Sequence, residues 1–143
     1  MRLILLLFVG MWFSCAVCEA QIMQNPNKAF DLAKKTGKKV MLVFSGSDWC
    51  IPCIQFNKAI LSDSIFLRFA GDNLVLLEAD FPQRKKIAAP LRSQYDSLAA
   101  AFNPEGAFPH IVLLSPEKKL ITAVPVRQQS PSDFISTLKQ LLK

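Results

Sequence analysis

Ser45-Gly46-Ser47-Asp48-Trp49-Cys50-Ile51-Pro52-Cys53 is the stretch on which both the fold and the chemistry turn. Just before it, Lys39 to Phe44 reads as a continuous apolar run, the pattern of a strand covered on both faces by helices. Ser45 to Asp48 breaks that run with small and polar residues able to cap a helix. The next helix is expected to begin near Cys50 and to run through Phe56 to about Leu61. Two cysteines separated by two residues therefore open a helix directly after a buried strand.

That position gives the pair its chemistry. Backbone amides at the start of a helix lack intrahelical partners, and the helix dipole is positive there, so a sulfur at Cys50 is favoured as the thiolate. Each unit by which a thiol pKa falls corresponds to about 1.4 kcal/mol. Cys53, one turn deeper on the same side, can attack a mixed disulfide formed on Cys50 at high effective concentration. A purely structural disulfide is the competing reading, but a cross-link closing so short a loop removes little entropy from the unfolded chain. A zinc site falls short, since Cys50, Cys53 and His110 make three ligands where structural zinc takes four. No metal and no cofactor are expected.

Outward from this segment, Asn25 to Gly37 reads as a short amphipathic helix with Asn25 as cap, Pro26 in the first turn and Gly37 as stop. A second helical piece is expected over Asp63 to Ala70, and Leu74 to Ala79 is another buried strand. Leu91, Tyr95, Leu98, Ala99 and Phe102 share one helical face, with Pro90 at the first helical position. Ile111 to Leu114 and Leu120 to Val124, joined by Ser115-Pro116-Glu117-Lys118, predict an antiparallel hairpin. The last helix starts at Ser130, with Asp133 three residues on, and buries Phe134, Ile135, Leu138, Leu141 and Leu142. Crossover helices make parallel strand neighbours and the hairpin adds antiparallel ones, so an α/β fold is expected: a mixed central sheet flanked by helices on both faces.

With these elements in place, the segment resembles the active-site region of the thioredoxin superfamily, in particular exported bacterial thioredoxin-like proteins with a Gly-Ser-Asp-Trp-Cys lead-in. The likeness in element order runs from about Asn25 to Lys143. It implies a thioredoxin-like fold and a thiol–disulfide oxidoreductase acting on protein disulfides, with Cys50 and Cys53 catalytic. It also implies a cis Phe108-Pro109 bond opposite Cys50, where the Phe108 backbone would pair with an extended substrate. Trp49, Ile51, Pro52, Phe108 and Pro109 are then the substrate-binding residues, Trp49 serving both as packing and as a lid beside the thiolate. A reductase recharged by a membrane electron donor is the favoured form. Oxidase, isomerase and a non-catalytic binding module are the alternatives. The redox reading requires that the pair stand open, at a helix beginning, and turned towards Pro109.

The chain also departs from that family. The buried acid expected six residues before the first cysteine falls on Phe44, and its lysine partner near Leu76. Glu78 and Asp80 are the candidate replacements, against the commoner solvated or capping role at a strand end. His110 reads as an edge-strand side chain; near Cys50, its cationic form would favour the thiolate.

Met1 to Ala20 has the parts of an export signal: Arg2, an apolar run from Leu3 to Val17, and small residues at the cleavage positions of Cys18-Glu19-Ala20. Cleavage would leave one domain over residues 21–143 and discard Cys15 and Cys18, which share the two-residue gap by coincidence. Lipidation at Cys15 is the lesser alternative, and the periplasm is the expected location. The formal net charge of +6 would survive cleavage, because Arg2 and Glu19 cancel. Its basic residues are scattered and lack interleaved aromatics, which argues against nucleic acid as a partner. Arg84, Lys85 and Lys86 read as part of a solvated face. The expected partners are protein thiols and disulfides and the electron donor, with the chain a monomer.

Overall fold

The computed structural model describes residues 19–143. The expected export segment lies outside them but for Glu19 and Ala20, as do Cys15 and Cys18.

The chain begins with a two-residue strand β1 (Ile22–Met23), followed by α1 (Pro26–Thr36) and β2 (Lys39–Ser45). Asn25 caps α1 by accepting from the Lys28 amide at 3.1 Å, and Gly37 ends it in the left-handed region at φ 70°. Then come α2 (Ile51–Phe56), a π turn over Asn57–Leu61, α3 (Ser64–Asn73) and β3 (Leu74–Asp80). The second half holds α4 (Ala89–Phe102), the hairpin β4 (His110–Leu114) and β5 (Leu120–Val124), and α5 (Pro131–Leu141). Ser130 caps α5, accepting from the Asp133 amide while its hydroxyl donates to the Asp133 carboxylate.

The five strands lie in the order β1-β3-β2-β4-β5. β3 runs parallel to both β1 and β2, whereas β4 is antiparallel to β2 and β5. Alternation along the strands separates two apolar layers. Met41, Val43, Leu76, Ile111 and Leu113 face α3 and α5 together with Phe56 and Ile60, while Val40, Leu42, Phe44, Leu77 and Val112 face α1 and α4. Phe30, Phe44, Phe66 and Phe134 are fully covered, each contributing roughly 2–3 kcal/mol of hydrophobic stabilisation. The expected mixed sheet with helices on both faces is the architecture found.

Three details differ. β1 carries no period in so short a segment and was not expected. The helix after Cys50 does not stay α-helical to Leu61: its backbone widens over Asn57–Leu61, where the Ser62 amide reaches back five residues to the Asn57 carbonyl at 2.8 Å. In α4 the first helical position belongs to Ala89, one residue before Pro90.

Candidate active site at the start of α2

The dithiol stands where β2 ends and α2 begins. The turn after β2 is closed by the Cys50 amide, which donates to the Gly46 carbonyl at 2.9 Å. Cys50 is the N-cap of α2, and its sulfur accepts from the Cys53 amide at 3.3 Å. Cys50 and Cys53 are joined as a disulfide. Pro52 occupies the first turn, where its missing amide proton costs nothing.

The residues expected to bind substrate collect around this pair. Trp49 is 38% and Ile51 67% exposed, large apolar side chains left in solvent on either side of Cys50. The Phe108-Pro109 bond is cis. Pro52 and Pro109 line one cleft of ≈ 530 Å³ together with Phe56, Ile60, Val126 and Arg127 among others. The Trp49 ring packs edge-on against Phe108 at 5.4 Å between centroids, and Phe108 in turn against Phe81 at 5.7 Å.

In exposure the site departs from expectation. Cys50 is 4% and Cys53 3% exposed, so neither sulfur stands open and the condition of openness set from the sequence is not met; the redox reading stands instead on the helix beginning at Cys50 and on the relatives described below. Exposure therefore does not distinguish the two sulfurs; the Cys53 amide donated to the Cys50 sulfur does.

Gly46 and Asp48 shape the approach. Gly46 leaves room for the Trp49 indole, which lies where a Cβ would stand. The indole Nε1 donates to the Phe81 carbonyl at 2.8 Å. The Asp48 carboxylate accepts from the amides of Gln83 and Arg84, and these bonds, with the Arg84 charge, hold its carboxyl below the usual range. Neither position was singled out from the sequence, because both act through a loop more than thirty residues downstream.

Behind Cys53 lies a smaller cavity of ≈ 230 Å³, lined by Ser45, Ser47, Cys53, Asn57, Lys58 and Glu78 among others. Glu78 pairs in register with Val43, so its side chain leaves the sheet on the α2 face. Burial, and then the neighbouring Asp80 charge, push its carboxyl above the ordinary value of 4.5, with Ser45 acting in the opposite direction. Asp80 accepts from the Ser47 amide and hydroxyl at 2.8 and 2.6 Å and so ties the loop to β3. Counting back six residues pointed to Phe44, yet Phe44 faces α1 and α4 on the far side of the sheet. The β2 side chains turned towards α2 are Val43 and Ser45, and neither is an acid. His110 is likewise corrected: β4 is an interior strand, and the ring opposite Phe44 approaches the Phe102 carbonyl at 3.1 Å, on the face away from α2.

No helix among the described residues is long and apolar enough to cross a membrane. No cluster of three or more metal-ligating His, Cys, Asp or Glu side chains occurs among them.

Comparison with known proteins agrees with this arrangement. A family described as thioredoxin-like matches residues 13–116. A protein of Chlamydia pneumoniae named disulfide bond reductase DsbH is 33% identical over 116 residues, covering 81% of this chain and 69% of its own. A solved structure titled DsbH oxidoreductase superposes with a TM-score of 0.80 at 29% identity, covering 89% of this chain and 88% of the other. A thioredoxin from Thermus thermophilus, with a TM-score of 0.62 and 19% identity over 85% of this chain and 87% of its own, shares the fold.

Proposed function

This chain belongs to the thioredoxin-like family and is a thiol–disulfide oxidoreductase; from that premise we propose that it works in the reductive direction on protein disulfides, with Cys50 as the attacking sulfur and Cys53 as the resolving one. The observation that carries the assignment of roles is the place of Cys50 as N-cap of α2, its sulfur accepting the Cys53 amide. A sulfur so placed gains most from carrying negative charge.

The chemistry balances as two exchanges. The Cys50 thiolate attacks one sulfur of a substrate disulfide, forming a mixed disulfide and releasing the other substrate sulfur as a thiolate that takes up a proton. Cys53 then gives up its proton and attacks the Cys50 sulfur. The Cys50–Cys53 disulfide forms, the second substrate sulfur leaves and is protonated, and two electrons have passed to the substrate. A dithiol donor must then reduce the pair; a donor at the membrane, with the chain exported through residues 1–20, completes the proposal. Protein thiols and disulfides are the partners.

Glu78 is proposed as the proton acceptor for Cys53. The cavity the two residues share, and a carboxyl that burial and then the Asp80 charge push above its ordinary value, support a group able to take and return a proton. Trp49, Ile51, Pro52, Phe108 and Pro109 are proposed to hold an extended substrate segment. Support comes from the two exposed apolar side chains beside Cys50 and from the cleft between Pro52 and Pro109.

Trapping tests the roles. Cys53→Ser is expected to accumulate mixed disulfides on Cys50, visible as adducts that dithiothreitol removes, and mass spectrometry of the adducts identifies the substrates. Cys50→Ser is expected to form none and to lose disulfide reduction. Retained biological function in Cys50→Ser would replace this reading with a non-catalytic binding module.

A further inference from the structure

The loop after β3, residues 81–88, contains Arg84, Lys85 and Lys86, all exposed. From the sequence this triplet reads as a solvated face. In the fold it is fastened to the segment that leads into the dithiol. The Phe81 amide donates to the Ser45 carbonyl at 2.8 Å, and the Phe81 carbonyl accepts from the Trp49 indole at 2.8 Å. Gln83 and Arg84 donate their amides to the Asp48 carboxylate at 2.9 and 2.7 Å. Asp48 precedes Cys50 by two residues, which keeps the Arg84 backbone on the order of 10 Å from Cys50.

The charges of this loop are not spent internally. Among the described residues the ion pair present is Arg92–Asp96, on α4. No hydrogen bond from the side chains of Arg84, Lys85 or Lys86 is found among the described residues, so they extend into solvent. The acids of the same neighbourhood are engaged: Asp48 by the loop amides and Asp80 by Ser47, while Glu78 is half-buried behind Cys53. The cleft that Pro52 and Pro109 line adds the exposed Arg127. The unpaired charges of the loop and of the cleft beside Pro52 are therefore cationic.

We propose that the 81–88 loop is a docking surface for acidic protein segments, so that the protein prefers disulfides flanked by Asp and Glu. The preference rests on the redox reading above and adds substrate class to it. Because the loop is held by its backbone, its cations stand at a fixed place beside the reacting sulfur; they act on encounter with a partner without taking part in the exchange itself.

The test compares reduction rates, by the reduced wild-type chain, of three peptide disulfides of equal length whose flanks are acidic, uncharged or basic, at low and high salt. The acidic peptide is expected to react roughly tenfold faster than the basic one at low ionic strength, and the ratio to fall towards one as salt screens the loop. A variant combining Arg84→Glu, Lys85→Glu and Lys86→Glu, whose loop amides still reach Asp48, is expected to invert the order. Equal rates for the three peptides, or an acidic preference that the variant retains, would overturn the docking surface while leaving the oxidoreductase standing. Equal rates together with binding of the wild-type chain to anionic phospholipid vesicles would assign the loop to a membrane surface instead. Failure to reduce any of the three peptides would overturn the redox reading itself.

Discussion

At Gly46 a methyl group in place of hydrogen would come within 2.6 Å of the Trp49 Cζ2, so the glycine is needed for close approach and not for an unusual backbone angle. Gly46→Ala is expected to push the indole out, break its bond to the Phe81 carbonyl and slow protein disulfide reduction by on the order of tenfold. The Trp49 Nε1–H resonance reports this directly; an unchanged resonance would contradict it. Glu78→Gln separates the proposed proton acceptor from a spectator and should slow resolution of a Cys50 mixed disulfide by roughly tenfold to a hundredfold at neutral pH. The same variant carries a pH signature with a definite sign. A carboxyl raised in the folded state binds its proton more tightly folded than unfolded, so its contribution favours the native state at low pH and is lost as pH rises through the raised value. Glutamine has no such loss. The variant's melting temperature should therefore gain on the wild type between pH 4 and pH 8, and a pH-independent difference would sink the account. Cys50 and Cys53 were legible from spacing after a strand. The face on which an acid could stand was not, because counting back from Cys50 does not say which β2 side chains turn towards α2. Register with β3 does.

The elements read most clearly where period and caps agreed. Asn25, Gly37 and Ser130 bound their helices as their residue types predict, and the buried strands β2 and β3 stood out as apolar runs. The π turn at Asn57 left no such mark, since the residues from Ile51 to Leu61 suit either helical form and only the backbone records the change. α4 shows how packing substitutes for a cap. Ala88 at its N-cap offers no side-chain acceptor, but Tyr95 is buried against the layer facing α1 and its hydroxyl donates to the Gln24 carbonyl at 2.7 Å. Burial and the charges of Glu78 and Asp80 push that phenol up to about 12, so it remains a donor across the physiological range. Tyr95→Phe removes the bond and leaves the ring. It is expected to cost about 1 kcal/mol in denaturant unfolding, and no change in midpoint would show that the hydroxyl does not help hold α4 to the segment before α1.

Across the whole molecule, two apolar layers fix a sheet whose β2 end presents one dithiol, with an acid behind it and cations around its rim. Class and sheet type followed from the order of helices and strands. The tether between Asp48 and the 81–88 loop did not, because it joins residues distant in sequence through backbone amides that carry no residue signature. The reductive direction proposed for the pair requires that, once reduced, it give its electrons away readily. Equilibrating the protein with defined ratios of reduced and oxidised glutathione, and counting alkylated thiols by mass, measures that tendency. The account predicts a reduction potential at or below about −230 mV, the reducing end of the range for such dithiols, and a value near about −120 mV would mark an oxidant and contradict it.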